Sequence, residues 1–278
     1  MEQTTNNVEQ TNQPEPVQHP TIVLDCTIEP RTFKEWTATV KTMCDRSHHE
    51  YRLHISSEHA WFRLVDSANV MMAQSEYHKT AFVEYYADPV STHTIGLDNN
   101  IFVQFAKNVK KDMVKFEIWK IPTVNGTGNC RYEYTLRCGG IIQKGECINE
   151  QTIRRDPNPP SIQHDTHITM AAGEFTSAVK SAINVCESFW FKVHNGKMQI
   201  VSQKDNACNY SADIPTQTCT GDADSLFSAE LLKSVIGGIK DKNEILTASL
   251  KSGHPAKIVM RDENREIIYL VAPRIESN

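Results

Sequence analysis

Active chemistry needs nucleophiles, acids, bases or metal ligands at workable spacing, and this chain offers few. Its densest run of imidazoles, His48, His49, His54 and His59, straddles an expected helix end and the strand after it. That spacing puts the four on no single helical face, so they read as surface histidines and not as metal ligands. Eight cysteines, at 26, 44, 130, 138, 147, 186, 208 and 219, include no C-x-x-C pair, which removes zinc-ribbon and thioredoxin chemistry. Asp66 has no second carboxylate placed to share acid–base work. No G-x-G-x-x-G follows a strand, and neither a Walker loop nor a nucleophile elbow occurs. The expectation is no enzyme: no catalytic residue, no metal and no cofactor.

What remains is electrostatics. The 278 residues carry a net charge of −5, with 39% hydrophobic and 23% charged residues, the balance of an ordinary globular protein. No stretch approaches the ~18 apolar residues of a membrane span, and the N-terminus lacks a signal-peptide pattern. Scattered cysteines within apolar patterns suit a reducing intracellular compartment. Within this net acidic chain the lysines are segregated. Lys34 and Lys41 share one expected helix face, flanked by Arg31 and Arg46. Lys107, Lys110 and Lys111 belong to a second helix, Lys180 to a third, and Lys233 and Lys240 to a fourth. Acidic residues there are few: Glu35, Glu174, Glu230 and Asp241. Segregated lysines suit a surface that meets a polyanion through phosphate contacts. No aromatics interleave with them, so base stacking is not indicated.

The elements that must position these lysines come in two copies. "FKEWTATVKTMC" from Phe33 and "FTSAVKSAINVC" from Phe175 both run from Phe to Cys at equal spacing and read as amphipathic helices. "IFVQFAKNVKK" from Ile101 and "LLKSVIGGIKD" from Leu231 share an apolar pattern that marks one packed face. Strand-like sequence follows each helix, as in "YRLHISSEHAWFRLV", "MVKFEIW", "EILTASL" and "FWFKVHNGKMQIV", the last with a turn at His194-Asn195-Gly196. The fold class expected is α+β: a duplicated unit of two helices against antiparallel sheets. The expected boundaries are a disordered tail over 1–20, a first domain over 21–144, a proline-containing connector over 145–164 and a second domain over 165–278.

Three stretches carry a resemblance. "RLVDSANVMM" (63–72), "GLDNNIFVQFAKNVKK" (96–111) and "YLVAPRIE" (269–276) resemble, in order and spacing, segments of DNA sliding clamps of the proliferating cell nuclear antigen (PCNA) family. The resemblance covers residues 21–276 and implies three chains closed head to tail into a ring with pseudo-six-fold symmetry. The helices would line its hole and face duplex DNA without reading sequence, with Lys34, Lys41, Lys107 and Lys180 where the family has basic residues. Lys110, Lys111, Lys233 and Lys240 complete the expected DNA-facing set, and Gly237 stands where some members have a lysine.

The resemblance also implies a pocket under the connector for a short partner motif (Gln, two spacers, an aliphatic, two spacers, two aromatics). Val65, Asp66, Ala68, Asn69 and Val70 match it in the first domain. Pro255, Leu270, Val271, Ala272, Pro273, Arg274 and Ile275 match it in the second, with Ile153 and Pro157 expected from the connector. Expected partners are DNA polymerase, clamp loader, flap endonuclease and ligase. Subunit contacts are expected on edge strands "RYEYTLR" (131–137) and "NACNYSA" (206–212), through Arg131, Tyr132, Tyr134, Leu136, Asn206, Cys208 and Tyr210. Alternatives are a subunit of a heterotrimeric or checkpoint-type clamp, or a peptide-binding scaffold without DNA tethering. The mild charge and the lack of a long acidic tail point to an archaeal or viral clamp, cytoplasmic or nucleoid-associated, over a nuclear eukaryotic one.

Overall fold

The computed structural model describes residues 19–44, 48–122, 130–204 and 208–275. The expected disordered tail thus lies outside the described residues except for His19 and Pro20, as does Arg46. The first half runs β1 (Thr21–Ile28), α1 (Pro30–Met43), β2 (Glu50–Ile55), β3 (His59–Val65), β4 (Met71–His78), β5 (Glu84–Ala87), β6 (His93–Asp98), α2 (Asn99–Asn108), β7 (Val114–Pro122), β8 (Cys130–Cys138) and β9 (Ile141–Glu146). The second runs β10 (Thr166–Ala171), α3 (Ala172–Ile183), β11 (Ser188–His194), β12 (Lys197–Lys204), β13 (Cys208–Ile214), β14 (Thr218–Thr220), β15 (Ala223–Ser228), α4 (Ala229–Gly238), β16 (Ile245–Leu250), β17 (Ala256–Arg261) and β18 (Arg265–Val271).

Local chemistry accounts for the element ends. Pro30 opens α1, where its fixed φ suits a helix and its missing N–H costs no bond. The Asp98 carboxylate caps α2 by accepting from the Asn100 N–H at 2.8 Å. Asn195 and Gly196, at φ 52° and 72°, make the tight turn between β11 and β12, as a two-residue hairpin requires. Two helices stop sooner than their apolar period suggests. Asn108 ends α2, so Lys110 and Lys111 fall beyond it. Gly238 ends α4, so Lys240 is past the helix and not one of its i,i+7 partners. Glycine's poor helix propensity explains why α4 ends at Gly237-Gly238.

Sheet order exposes the duplication. The first half contributes β5-β1-β7-β8-β9 and β4-β3-β2-β6; the second contributes β14-β10-β16-β17-β18 and β13-β12-β11-β15. The second half's five strands and the first half's four join through β18 and β4 into one nine-stranded sheet. That seam is antiparallel, from Arg265 opposite Tyr77 to Val271 opposite Met71. Helix α1 packs on α2 to one side and α4 on the other, and α4 packs on α3. The helices therefore form a single row, α2-α1-α4-α3, against the sheets. Each half has its own buried core, but Met43, Met71 and Ala73 of the first lie in the core of the second.

Candidate functional site

The helix row turns its apolar side inward. Phe33, Trp36 and Val40 of α1, Phe102 and Phe105 of α2, Phe175 and Val179 of α3, and Leu232 and Val235 of α4 are all buried. Helical periodicity then leaves the polar positions outside. Lys41, Lys107, Lys110, Lys111, Lys180, Lys233 and Lys240 are exposed and Lys34 is half-buried. None of these eight makes an ion pair among the described residues. Lys107 reaches Gln104 at 2.8 Å, and the Lys240 ammonium donates to the Gly237 carbonyl at 2.7 Å. Lys240 is held below the ordinary lysine value, first by partial burial, then by repulsion from Lys41 and Lys180 against the pull of Glu35. Ammonium groups from three segments thus converge there, and a phosphate would relieve their repulsion.

Two acidic residues expected on this face do not sit on it. Glu35 is 2% exposed and pairs with Arg265 at 2.7 Å. Asp241 pairs with Arg31, which also meets Glu244 at 3.0 Å. Arg265 serves Glu244 and Asp262 as well. One guanidinium shared among three carboxylates leaves Glu35 under-neutralised. Burial first, with Glu244 and Asp262 adding to it and Arg265 and Arg31 opposing, raises its carboxyl to about 7. This cluster ties α1 to the far half and engages these carboxylates with arginines, although Glu35 still pulls on Lys240.

A groove lies at the other end of the seam. The Asp66 carboxylate accepts from the N–H groups of Val70 and Met71 at 2.8 and 2.9 Å, folding the loop between β3 and β4. Asn69 holds a left-handed φ of 59° in that loop, a conformation its short polar side chain tolerates. The chain after β18 is pinned twice, Ala272 N–H to Val70 O at 2.8 Å and Arg274 N–H to Leu226 O at 2.7 Å. Across from it the connector is strapped to the first half. Arg52 donates to the carbonyls of Glu150 and Ile153, His54 bonds Asp156 at 2.8 Å, and Arg63 donates to Pro157 O at 3.4 Å. His164 reaches Pro255 O at 2.9 Å in the second half.

Two cavities flank the tail, one toward the strap and one toward the C-terminal end of α1 and the start of α4. One of about 320 Å³ takes Val65, Asn69, Val70, Pro157, Pro255, Leu270 and Ala272 of the expected pocket set. Its neighbour of about 550 Å³ takes Asp66, Ala68, Val70, Ala272, Pro273 and Arg274. Three expected pocket residues are placed otherwise. Val271 is 0% exposed in the second core, because strand alternation turns it inward. Ile153 is buried and lines an adjoining cavity of about 460 Å³ on the first-half side. Ile275 is 87% exposed and lines neither cavity. Sequence reading missed Met72, Arg154, Arg155 and Ser228, which do line them. Met72 is legible afterwards as the in-phase neighbour of Val70; the arginines needed the path of the connector.

The expected subunit strands divide. β8 is flanked by β7 and β9, so it is interior, and Tyr134 and Leu136 are buried in the first core; only Arg131 is exposed, with Tyr132 half-buried. The free edge is β9, where Ile141 and Ile142 are exposed. The alternation argument marks a strand and not its rank in the sheet, and the edge is the next strand along the chain. β13 is an edge, as expected, and Tyr210 anchors it by donating to Ala178 O at 3.2 Å. Cys208 opens that strand, and Asn206 lies outside the described residues. Among the described residues no group of three or more His, Cys, Asp or Glu side chains is arranged to hold a metal ion.

No family model matches the sequence. A DNA polymerase sliding clamp of Methanospirillum hungatei is 30% identical over 263 residues, spanning 92% of this chain and 100% of the relative. That of Archaeoglobus fulgidus is 26% identical over 234 residues, 82% of this chain and 90% of the relative. Among solved structures, A. fulgidus PCNA with the C-terminal region of FEN-1 bound has a TM-score of 0.79 at 24% identity, covering 92% of this chain and all of that one. PCNA from Thermococcus kodakaraensis has a TM-score of 0.73 at 16% identity, over 91% of this chain and 100% of that one. Sequence kinship across nearly the full length and a shared fold agree: this chain belongs to the DNA polymerase sliding clamp family.

Proposed function

We propose that three copies of this chain close head to tail around duplex DNA and that the ring tethers polymerase and other replication and repair proteins to it. The observation that carries this reading is the repeat in the sheets. β9 holds in the first half the place of β18 in the second, and β4 holds in the first the place of β13 in the second. β18 and β4 pair inside the chain; their counterparts β9 and β13 are both unpaired edges. An unpaired edge strand is a template for another chain, so the β18–β4 seam is the pattern for a β9–β13 seam between chains. Rotation from one half to the next then repeats along a closed ring. The same step would set α3 of one chain beside α2 of the next, continuing the helix row.

The lysines Lys34, Lys41, Lys107, Lys110, Lys111, Lys180, Lys233 and Lys240 face the duplex in this reading. They make sliding, salt-sensitive phosphate contacts. The groove between connector and tail receives an apolar partner segment, the role FEN-1's C-terminal region suggests. Polymerase, clamp loader, flap endonuclease and ligase are the partner classes. The chain itself performs no chemistry and works in the cytoplasm at the nucleoid. A division into domains over 21–144 and 165–278, with 145–164 between, is supported by the separate cores, while β9 runs on to Glu146 and Cys147 packs on the first core.

Light scattering of the pure protein tests the ring: a three-chain mass is expected, and a stable monomer at about micromolar concentration overturns the homotrimer. Replacing Lys34, Lys41, Lys107 and Lys180 together with Ala tests the lining. Processivity on primed circular DNA should fall with the unfolding midpoint unchanged; undiminished polymerase stimulation removes the lining role.

A further inference from the structure

The groove of about 320 Å³ has an apolar floor, with Val65, Val70, Met72, Pro255 and Leu270 among its lining. Its charged lining residues are Arg154 and Arg155, and no carboxylate lines it. Two carboxylates close to it along the chain turn their oxygens to other donors than the arginines. Asp156 is taken by His54, and Asp66 by the N–H groups of Val70 and Met71. Arg154 bonds to the Asn69 side-chain oxygen and the Asp66 carbonyl. Both acceptors are neutral, so its orientation is set with no carboxylate bonded to it. Arg155 is exposed and forms no ion pair among the described residues. Arg52 and Arg63, which hold the connector, also bond to carbonyls and to Gln74, not to acids.

We infer that this groove selects partner segments that carry an acidic side chain beside their apolar anchor, read by Arg155 with Arg154 fixed next to it. The inference rests on the peptide-recruitment reading above and specifies its ligand. Apolar contacts supply affinity but do not discriminate among partners with similar anchors. A guanidinium rim does: it donates to a carboxylate in bidentate geometry, raises the association rate of acidic segments and repels basic ones. Since the arginines lie at the rim in contact with solvent, the effect of each pair is modest and salt-dependent, about fivefold in Kd.

The test uses the full chain and three synthetic peptides that share the motif described above. Their flanking residues are glutamate in one, alanine in the second and lysine in the third. Calorimetry at low salt should rank them glutamate over alanine over lysine, with neighbouring steps of about fivefold that shrink as salt is raised toward about 1 M. Arg155→Ala should compress the series and Arg155→Glu should invert it, both with an unchanged unfolding midpoint because the residue is exposed. A ranking that persists in Arg155→Glu, or an equal Kd for all three on the parent chain, overturns the inference and leaves recruitment standing. If none of the three binds, the recruitment reading falls and this one with it. If Arg155→Glu impairs DNA loading while the peptide ranking is unmoved, the arginine serves the phosphate backbone and the inference is wrong.

Discussion

Two seams of the same design meet different fates in this chain. The inner one, β18 on β4, is closed within the molecule: Tyr77 and Tyr269 are fully buried along it, α1 packs on α4, and the Glu35–Arg265 cluster seals one end. The outer one, in the proposed ring, is represented in a single chain by two free edges, β9 and β13. The inner seam buries its side chains between the two halves, with the Tyr269 hydroxyl donating to Thr39 across them. The outer edges keep apolar side chains, Ile141 and Ile142, in solvent. Duplication supplied the geometry twice, and the chain completes it once.

That contrast can be broken most severely at the inner seam. Arg265→Ala strands Glu35 in a buried site and leaves Glu244 only Arg31; removing one partner of a buried pair costs about 3–5 kcal/mol, read as a lower urea midpoint. A loss below about 1 kcal/mol would show that the cluster is solvated. Acidity probes the same place. Glu35 in the native state keeps its proton after the unfolded chain has lost it, since its carboxyl rises from 4.5 to about 7. Stability is therefore full below about pH 4.5 and declines as pH rises to about 7, by an amount on the order of 3 kcal/mol. Glu35→Gln should flatten that slope, and a slope that survives the substitution would assign it to other groups.

Helix approach at the seam is the next target. A Cβ on Gly238 would stand 1.9 Å from the Tyr269 hydroxyl, which itself donates to Thr39 at 3.3 Å. Gly238→Ala should cost about 1–3 kcal/mol through overpacking, and a neutral or stabilising result would mean that the ring moves freely. At the outer seam Ile142→Glu should leave folding within about 0.5 kcal/mol of the parent yet convert rings to single chains in light scattering. An intact trimer would exclude β9 from the contact. The smallest effect is expected at Gly237, where a Cβ meets nothing within 4 Å. Gly237→Lys should stabilise α4 by less than about 1 kcal/mol and steepen the salt dependence of DNA binding; an unchanged slope would place that position off the DNA path.

Much of the helix row is legible in the chain, because a 3.6-residue period is a local property and the lysine face follows from it directly. The groove is legible in part. Val70, Pro255 and Leu270 sit in recognisable segments, while Arg154 and Arg155 enter it only because Arg52, His54 and Arg63 strap the connector to the first half. Val271 shows the limit from the other side: adjacent to Leu270 in sequence, it faces the opposite side of β18 and is buried in the core.

The amino-acid order alone determined the duplication, the helices, the basic face and the family, since each depends on residue type and short spacing. Tertiary structure decided which strands are edges, which carboxylates are consumed in ion pairs and that Lys240 meets Lys41 and Lys180. Sheet order and cross-half contacts join residues as far apart as Glu35 and Arg265. No periodicity encodes such a pairing, because its free energy is set by burial and by competing partners that only the folded chain brings together.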